Sequence, residues 1–197
     1  MQVFLKEGIR VNIEPANENY VESYMEFIKD LASDDDSYVI VNYSGLLPDI
    51  DGVRERSKLW NKGNISMHFA LLKDRVIGYC GQKIGPTYGN DLQPHISEIW
   101  YAVSRDFRGS GLIYPLIFES LKNTDVKYVQ AYVDTRNVKS SKLMENIGFK
   151  NMGKIGENIL DKRNNILRDD YYFRGKREEA LKILKEKIDK RGLIINF

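Results

Sequence analysis

The sequence has very few of the residues that build metal centres and disulfides. Among its 197 residues are one cysteine, Cys80, and two histidines, His68 and His95. A single thiol cannot form an intramolecular disulfide, and it excludes a metal site built on several cysteines. Two histidines cannot supply a histidine-rich metal centre, so we expect no metal ligands in this chain.

Long apolar runs and an excess of charge are missing as well. No apolar run approaches the roughly 20 residues that span a bilayer, and residues 1–7 contain no signal-peptide core. With 30 basic and 28 acidic residues the formal net charge is +2, which gives no broad electrostatic case for nucleic acid. We therefore expect a cytoplasmic protein that binds neither nucleic acid nor membranes.

Hydrophobic periodicity predicts one domain in which strands and helices alternate. No internal repeat or linker interrupts the chain, so we expect a single domain over residues 1–197, with a core at about 8–174 and a C-terminal helix and tail at 175–197. In chain order, the predicted elements are a strand at 9–13, helices at 19–31 and about 49–60, strands at 66–72, 76–84 and 96–103, a helix at 112–121, a strand at 128–133, a helix at 137–147, strands at about 150–160 and 166–174, and a last helix around 180–188.

Two local features refine this prediction. Gly78 and Gly81 lie inside one predicted strand, which indicates a bulge or a close neighbour there. Residues 33–37 hold three adjacent aspartates, which could attract a cationic amine or a hard metal ion. Such acidic loops are usually just solvated, and that is the interpretation we adopt.

The stretch around Gly109 and Gly111 indicates an anion-binding turn. A predicted strand leads into it and a predicted helix leads out, so free backbone N–H groups gather at the positive end of a helix dipole. Glycine permits close approach of a phosphate and tolerates a positive φ. No lysine follows Gly111 as a P-loop requires, and Tyr114 stands where a dinucleotide fingerprint needs a small residue.

Two motifs together resemble the GNAT family of acyl-CoA-dependent N-acyltransferases. The family's Gln/Arg-x-x-Gly-x-Gly/Ala reads Asp106-Phe107-Arg108-Gly109-Ser110-Gly111 here, with Asp106 in the Gln/Arg place and Arg108 retained. The family's Asn-x-x-Ala-x-x-Leu-Tyr-x-x-x-Gly-Phe corresponds to residues 137–149, with Asn137, Leu143, Gly148 and Phe149 matching and Ser140 at the Ala place. The resemblance covers about residues 8–174 and lies on matching predicted elements.

The resemblance implies both a fold and a reaction. The fold is α/β (α+β), a mixed and mostly antiparallel sheet with a central parallel strand pair, flanked by helices. The reaction is transfer of an acetyl or other acyl group from acetyl-CoA to a primary amine of a small molecule or peptide by direct attack. A non-catalytic acyl-CoA-binding sensor or scaffold is the alternative. Dimers are frequent in the family, and the sequence leaves a monomer or a homodimer open.

The resemblance also assigns residues to the cofactor. Backbone amides of residues 108–113 would hold the pyrophosphate, and the strand backbone around residues 101–103 would pair with the pantetheine arm. Asn137 in such folds commonly bonds the end of that arm. The expected cofactor-binding residues are Tyr101, Val103, Arg108, Gly109, Ser110, Gly111, Leu112, Ile113, Asn137 and Ser140.

The resemblance assigns a residue to one of the two proton transfers in the reaction. Glu98 lies five residues before Val103 on the predicted strand, where several GNAT enzymes place a catalytic glutamate, and it is the expected general base. His95 precedes the strand, and we interpret it as a surface residue. The family's tyrosine acid corresponds to Met144, whose thioether has no proton to give. Ser140, Tyr132 or water could protonate the thiolate instead, or the thiolate leaves without an acid. Met144 itself is expected to be a packing residue on its helix.

The acceptor site is expected between the first two helices and the last hairpin. Aromatic and acidic side chains in these regions would suit a cationic amine, although they would suit a solvated rim equally. They are Tyr38, Tyr43, the aspartates at 34–36, Asp169, Asp170, Tyr171 and Tyr172.

Overall fold

A nine-stranded mixed sheet forms the centre of the fold. The computed structural model describes residues 1–5, 8–34 and 38–196. Within them the strands are β1 (Gln2–Phe4), β2 (Arg10–Pro15), β3 (Ile65–Leu72), β4 (Arg75–Ile84), β5 (Ile96–Val103), β6 (Tyr128–Asp134), β7 (Lys150–Asp161), β8 (Ile166–Lys176) and β9 (Ile194–Asn196). Their order across the sheet is β7-β8-β6-β5-β4-β3-β2-β1-β9, and of these pairs β5–β6 alone is parallel. The predicted fold class is confirmed.

Six α-helices flank the sheet in the described part of the chain. They are α1 (Val21–Ala32), α2 (Ile40–Ser44), α3 (Ile50–Ser57), α4 (Ile113–Lys122), α5 (Val138–Asn146) and α6 (Arg177–Lys190), with short 3-10 turns at Glu18–Tyr20 and Arg105–Phe107. Asp49 begins α3, because its carboxylate accepts a hydrogen bond of 2.8 Å from the Gly52 N–H. None of the described helices combines the length and apolar character needed to cross a bilayer.

Some predicted bounds are wrong for local reasons. The helix expected to run to Trp60 ends at Ser57, and the Trp60 ring instead packs edge-on against Tyr24 and Phe69. The sequence did not predict α2, β1 or β9, which have at most five residues each and are too short to show a period. The tail strand β9 pairs with β1 and so adds an edge strand to the domain's own sheet.

The two faces of the sheet are buried against different helices. One face packs against α4 and α6, and the other packs against α1. Fully burying one such aliphatic or aromatic side chain stabilises the fold by roughly 1.5–3 kcal/mol. The largest buried side chains include Leu116, Ile117 and Leu184 on the first face and Leu31, Phe69 and Leu71 on the second.

The two glycines of β4 have the roles expected of them. The register between β3 and β4 shifts where Ala70 pairs with Gly78, which places a bulge beside that glycine. A Cβ at Gly81 would lie 2.5 Å from the indole of Trp100 on β5. The close approach of Trp100 therefore requires glycine at position 81.

The parallel pair β5–β6 separates part-way along its length. Pairing covers Ile96 to Glu98 on β5 with Tyr128 to Gln130 on β6 and stops there. Beyond that point β5 stays paired with β4 as far as Val103, and β6 stays paired with β8 as far as Asp134. A wedge-shaped gap therefore opens in the middle of the sheet, lined by strand backbone that has no neighbouring strand.

Candidate functional site

The gap between β5 and β6 opens into a cavity of about 1070 Å³. The turn before α4 and the start of α5 line one part of it, and β6, β8 and the α2 region line another part. Every expected catalytic or cofactor-binding residue except Ser110 lines this cavity: Glu98, Tyr101, Val103, Arg108, Gly109, Gly111, Leu112, Ile113, Asn137 and Ser140. Strand separation thus brings together residues from three distant parts of the chain.

The turn of residues 108–113, which we name the glycine turn, presents free donors to the cavity. The backbone N–H groups of Gly109, Gly111 and Ile113 have no hydrogen-bond acceptor among the described residues. The two glycines have φ of 81° and 91°, which favours glycine at both positions. Because the donors lie at the N-terminus of α4, the helix dipole adds to their attraction for an anion.

The Ser110 side chain shapes the turn from within. Its Oγ donates to the Phe107 carbonyl at 2.7 Å and accepts from the Leu112 N–H at 3.2 Å. Both bonds stay inside the turn. The structure therefore places the Ser110 hydroxyl in support of the glycine turn, outside the cavity lining.

Arg108 is held by a residue of the acidic loop. Its Nη2 lies 2.5 Å from Asp34 Oδ2, and its Nε donates to the Val103 carbonyl at 3.4 Å. Only 9% of the Asp34 side chain is exposed, so the expectation of a solvated loop is wrong for this aspartate. The other two aspartates of the loop, at 35 and 36, lie outside the described residues.

The start of α5 forms the opposite wall of the gap. Asn137 caps the helix, since its Oδ1 accepts from the Ser140 N–H at 3.0 Å. Ser140 Oγ lies 2.5 Å from the Tyr101 hydroxyl, which links α5 to β5. Burial raises the pKa of the Tyr101 phenol, so the phenol keeps its proton at neutral pH. Met144 is fully buried in the core, as expected of a packing residue.

Glu98 lies where the gap begins. It is the last β5 residue paired with β6, and its Oε2 accepts from Gln130 Nε2 at 3.4 Å. Gln130 Oε1 in turn accepts from the Tyr172 hydroxyl at 3.1 Å. The Tyr172 ring stacks on Tyr132 with centroids 5.3 Å apart. Burial raises the pKa of Tyr132, and the Glu98 carboxylate raises it further.

Two buried carboxylates lie side by side at the far end of the cavity. Asp134 on β6 pairs with Asp170 on β8, and both side chains are almost fully buried. Burial alone would raise the pKa of Asp134, but hydrogen bonds from Arg136 and Tyr43 outweigh it and lower the pKa. Burial raises the pKa of Asp170, which only the amide of Asn158 opposes.

The remaining residues expected at the acceptor site point to different faces of the sheet, because side chains alternate along a strand. Tyr38, Tyr43 and Asp170 line the cavity, and Tyr172 reaches it through the Glu98 network. Asp169 points to the other face, where it forms an ion pair of 2.8 Å with Lys154.

Sequence reasoning missed several residues of this end. Asp134 and Arg136 were not singled out, because their role depends on Tyr43, which lies 91 residues before Asp134 in the sequence. Gln130 was missed because a glutamine inside a strand carries no motif. Arg191, which also lines the cavity, directly follows the C-terminal helix and lies beyond both motifs.

Comparison with known proteins identifies the family. Residues 10–150 match the sequence profile described as the acetyltransferase (GNAT) domain. This chain belongs to the GNAT family. The family predicted from the two motifs is confirmed, and the gap, the glycine turn and the second motif are parts of a GNAT domain. A comparison with curated proteins found no match to this sequence.

The fold of this GNAT protein is similar to that of solved acetyltransferases. A GNAT acetyltransferase from Streptococcus pneumoniae is 16% identical, with a TM-score of 0.72 over 84% of this chain and 98% of that one. A ribosomal-protein-alanine N-acetyltransferase from Brucella melitensis is 18% identical, with a TM-score of 0.71 over 84% and 99%. A putative acetyltransferase from Salmonella typhimurium, solved with its cofactor acetyl-CoA, is 14% identical, with a TM-score of 0.69 over 84% and 93%.

Asp170 gives the stability of this GNAT domain a testable pH dependence. Because burial raises its pKa in the folded state, the contribution of the protonated carboxyl to stability is full below the unfolded pKa of about 3.9 and is lost as the pH rises through the raised value. Asp170→Asn removes this titration, and its amide oxygen can still accept from Asn158. We expect the variant to be more stable than wild type at neutral pH, by a margin that shrinks toward acidic pH, as measured by urea unfolding at several pH values.

Asp169→Asn is the matched control for this prediction. The hydrogen bond from Lys154 lowers the pKa of Asp169, so its charged form contributes stability above the unfolded pKa, and the contribution is lost as the pH falls. The control should therefore be slightly less stable than wild type at neutral pH. A stability difference for Asp170→Asn that does not change with pH would contradict the assignment of a desolvated carboxylate.

Proposed function

We propose that this GNAT protein transfers an acetyl group from acetyl-CoA to a primary amine of a small molecule or peptide by direct attack. The observation that carries the proposal is the gap between β5 and β6, which brings an anion-binding turn, Glu98 and two buried carboxylates into one cavity. A single cavity can thus receive an anionic cofactor and a cationic acceptor from opposite sides. Bound acetyl-CoA would supply an acyl group activated as a thioester.

The glycine turn fits a pyrophosphate. Three free N–H groups at a helix N-terminus provide the donors, and the space beside Gly109 is open, with no atom within 4 Å of a Cβ built there. Side chains at Gly109 and Gly111 would be strained at these φ values and would crowd the donors. The backbone amides of Gly109, Gly111 and Ile113 would therefore hold the pyrophosphate.

The unpaired backbone of β5 fits the pantetheine arm. Residues 101–103 have lost β6 as a neighbour, so their backbone polar groups on that side, apart from the Val103 carbonyl that accepts from Arg108, are available to an extended ligand. An N–H of this segment can polarise the thioester carbonyl as an oxyanion-hole donor. Asn137 would contact the end of the arm from the opposite wall of the cavity.

We propose that Glu98 removes a proton from the acceptor. An amine attacks only when it is neutral, and it is largely protonated at neutral pH, so a base must take its proton directly or through water. Gln130 donates a hydrogen bond to Glu98 Oε2 at the point where the gap begins, and the other carboxylate oxygen of Glu98 can accept the proton. The hydrogen-bonded hydroxyl groups of Tyr101 and Ser140 keep a proton close to the part of the cavity from which the thiolate of CoA would leave.

The acceptor end favours a cationic amine. Asp170 is buried beside Asp134, and no cation among the described residues pairs with it. Tyr38 and Tyr43 add aromatic rings to the same end of the cavity. A protonated amine group would offset the desolvated carboxylate and make cation–π contacts. An acceptor with a second, non-reacting ammonium group would gain most from this arrangement.

One observation favours a second function. Met144 replaces the tyrosine that often protonates the departing thiolate in the family, and its side chain is fully buried. A protein that binds acyl-CoA without turnover would tolerate this replacement. The sensor or scaffold function therefore remains the alternative, and turnover distinguishes the two.

The first prediction from this proposal concerns cofactor affinity. Gly111 has a φ of 91°, so Gly111→Val forces the turn to rearrange and puts a branched side chain beside its free N–H groups. We expect CoA affinity to fall at least tenfold, or about 1.4 kcal/mol, in isothermal titration calorimetry. Gly89→Val is the matched control, because Gly89 has a φ of 82° and open space around it but lies outside the cavity. Unchanged CoA affinity in a folded Gly111→Val variant would contradict the binding of the pyrophosphate by the glycine turn.

The second prediction concerns Glu98. Glu98→Gln keeps the shape of the side chain but removes the proton acceptor, so we expect kcat to fall by about a hundredfold near neutral pH. The loss should narrow at high pH, where more of the amine is already neutral, and CoA affinity should be preserved. Glu145→Gln, on the exposed side of α5, is the control. An unaltered pH–rate profile for Glu98→Gln would rule out its role as base.

A further inference from the structure

The end of the C-terminal helix lies directly beside the glycine turn. A Cβ built at Gly111 would be 3.2 Å from Cδ and 3.6 Å from Nη1 of Arg191, the residue that follows the last turn of α6. Arg191 also lines the cavity. This residue lies outside the family match over residues 10–150, so the family profile assigns it no role.

Arg191 is held in place from three sides. Its guanidinium carbon lies 4.8 Å from the centroid of the Tyr114 ring, in the first turn of α4. Its backbone N–H donates to the carbonyls of Lys187 and Ile188, which fixes the end of α6. The buried Leu193 packs two residues later, 3.4 Å from the same Cβ position at Gly111. A stacked guanidinium keeps its N–H groups free at the edge of the plane.

The two arginines at this end of the cavity differ in their partners. Arg108 is paired with Asp34, so its charge is already compensated within the protein. Arg191 takes part in none of the ion pairs formed among the described residues. Arg191 therefore adds an uncompensated positive charge directly beside the free N–H groups of the glycine turn.

We propose that Arg191 binds the pyrophosphate of CoA and that the C-terminal helix thereby completes the cofactor site. The inference rests on the proposed function, because it needs the glycine turn to hold that pyrophosphate. A planar guanidinium can donate two parallel hydrogen bonds to phosphate oxygens, while the turn donates from the opposite side. The cation also offsets the negative end of the α6 dipole, which would otherwise face the same anion.

The choice of the pyrophosphate over the 3′-phosphate of CoA follows from position. Arg191 lies against Gly111 itself, whose N–H is one of the three free donors. A phosphate bound by those donors comes within reach of the guanidinium. Dephospho-CoA, which lacks the 3′-phosphate but keeps the pyrophosphate, separates the two possibilities.

The test measures the affinities of the full-length protein for CoA and dephospho-CoA at low ionic strength. Arg191→Gln should weaken both by about fivefold to tenfold, since one charge-assisted contact is lost in each complex. The ratio of the two affinities should stay at its wild-type value. Arg191→Lys, which keeps the charge but not the planar fork, should lose less. Lys190→Gln is the matched control, because this neighbour is exposed and outside the cavity, and it should bind both ligands as wild type does.

Three results would overturn the inference alone. They are wild-type affinities for Arg191→Gln, an equal loss for Lys190→Gln, and a loss for CoA without a loss for dephospho-CoA, which would assign Arg191 to the 3′-phosphate. Failure of the wild-type protein to bind CoA would be a different result. It would overturn the proposed function, and this inference with it.

Discussion

The site depends on the separation of one pair of strands. The parallel strands β5 and β6 are paired over three residues each and then diverge, while each keeps its outer neighbour. Buried backbone N–H and C=O groups are almost always paired in folded proteins, so strand edges exposed inside a sheet need water or a ligand as partners. The gap is stable because β4 and β8 hold the two halves and because the Tyr101–Ser140 hydrogen bond links β5 to α5. The interruption of the sheet thus leaves strand backbone groups that can bind a ligand.

The cavity is also electrically asymmetric. The glycine turn contributes free N–H groups, and Arg191 beside it adds a positive charge. Glu98 and the buried pair of Asp134 and Asp170 contribute carboxyl groups to another part of the cavity. An anionic cofactor and a cationic acceptor would each enter where the field favours them. The near-neutral composition of the whole chain conceals this separation of charge.

Local sequence predicted the parts of the site that are local. The strand at 96–103 has the predicted bounds, the glycine turn follows it, and Asn137 caps the next helix, because alternation, glycine and capping chemistry act within a few residues. The divergence of β5 from β6 could not be predicted from the residues themselves, since strand pairing is a long-range property. The contacts of Asp34 with Arg108, of Tyr43 with Asp134 and of Arg191 with Tyr114 were not predicted at all, because each joins elements that are far apart in sequence.

Turnover distinguishes an acetyltransferase from a protein that only binds acyl-CoA. The measurement is thiol release from acetyl-CoA in the presence of a panel of primary amines, including diamines, polyamines, aminoglycosides and short peptides, with the acetylated product identified by mass spectrometry. We expect amine-dependent release of one thiol per N-acetyl group formed, fastest with acceptors that carry a second ammonium group. Tight binding of acetyl-CoA without thiol release for any amine would contradict this expectation and would indicate a sensor.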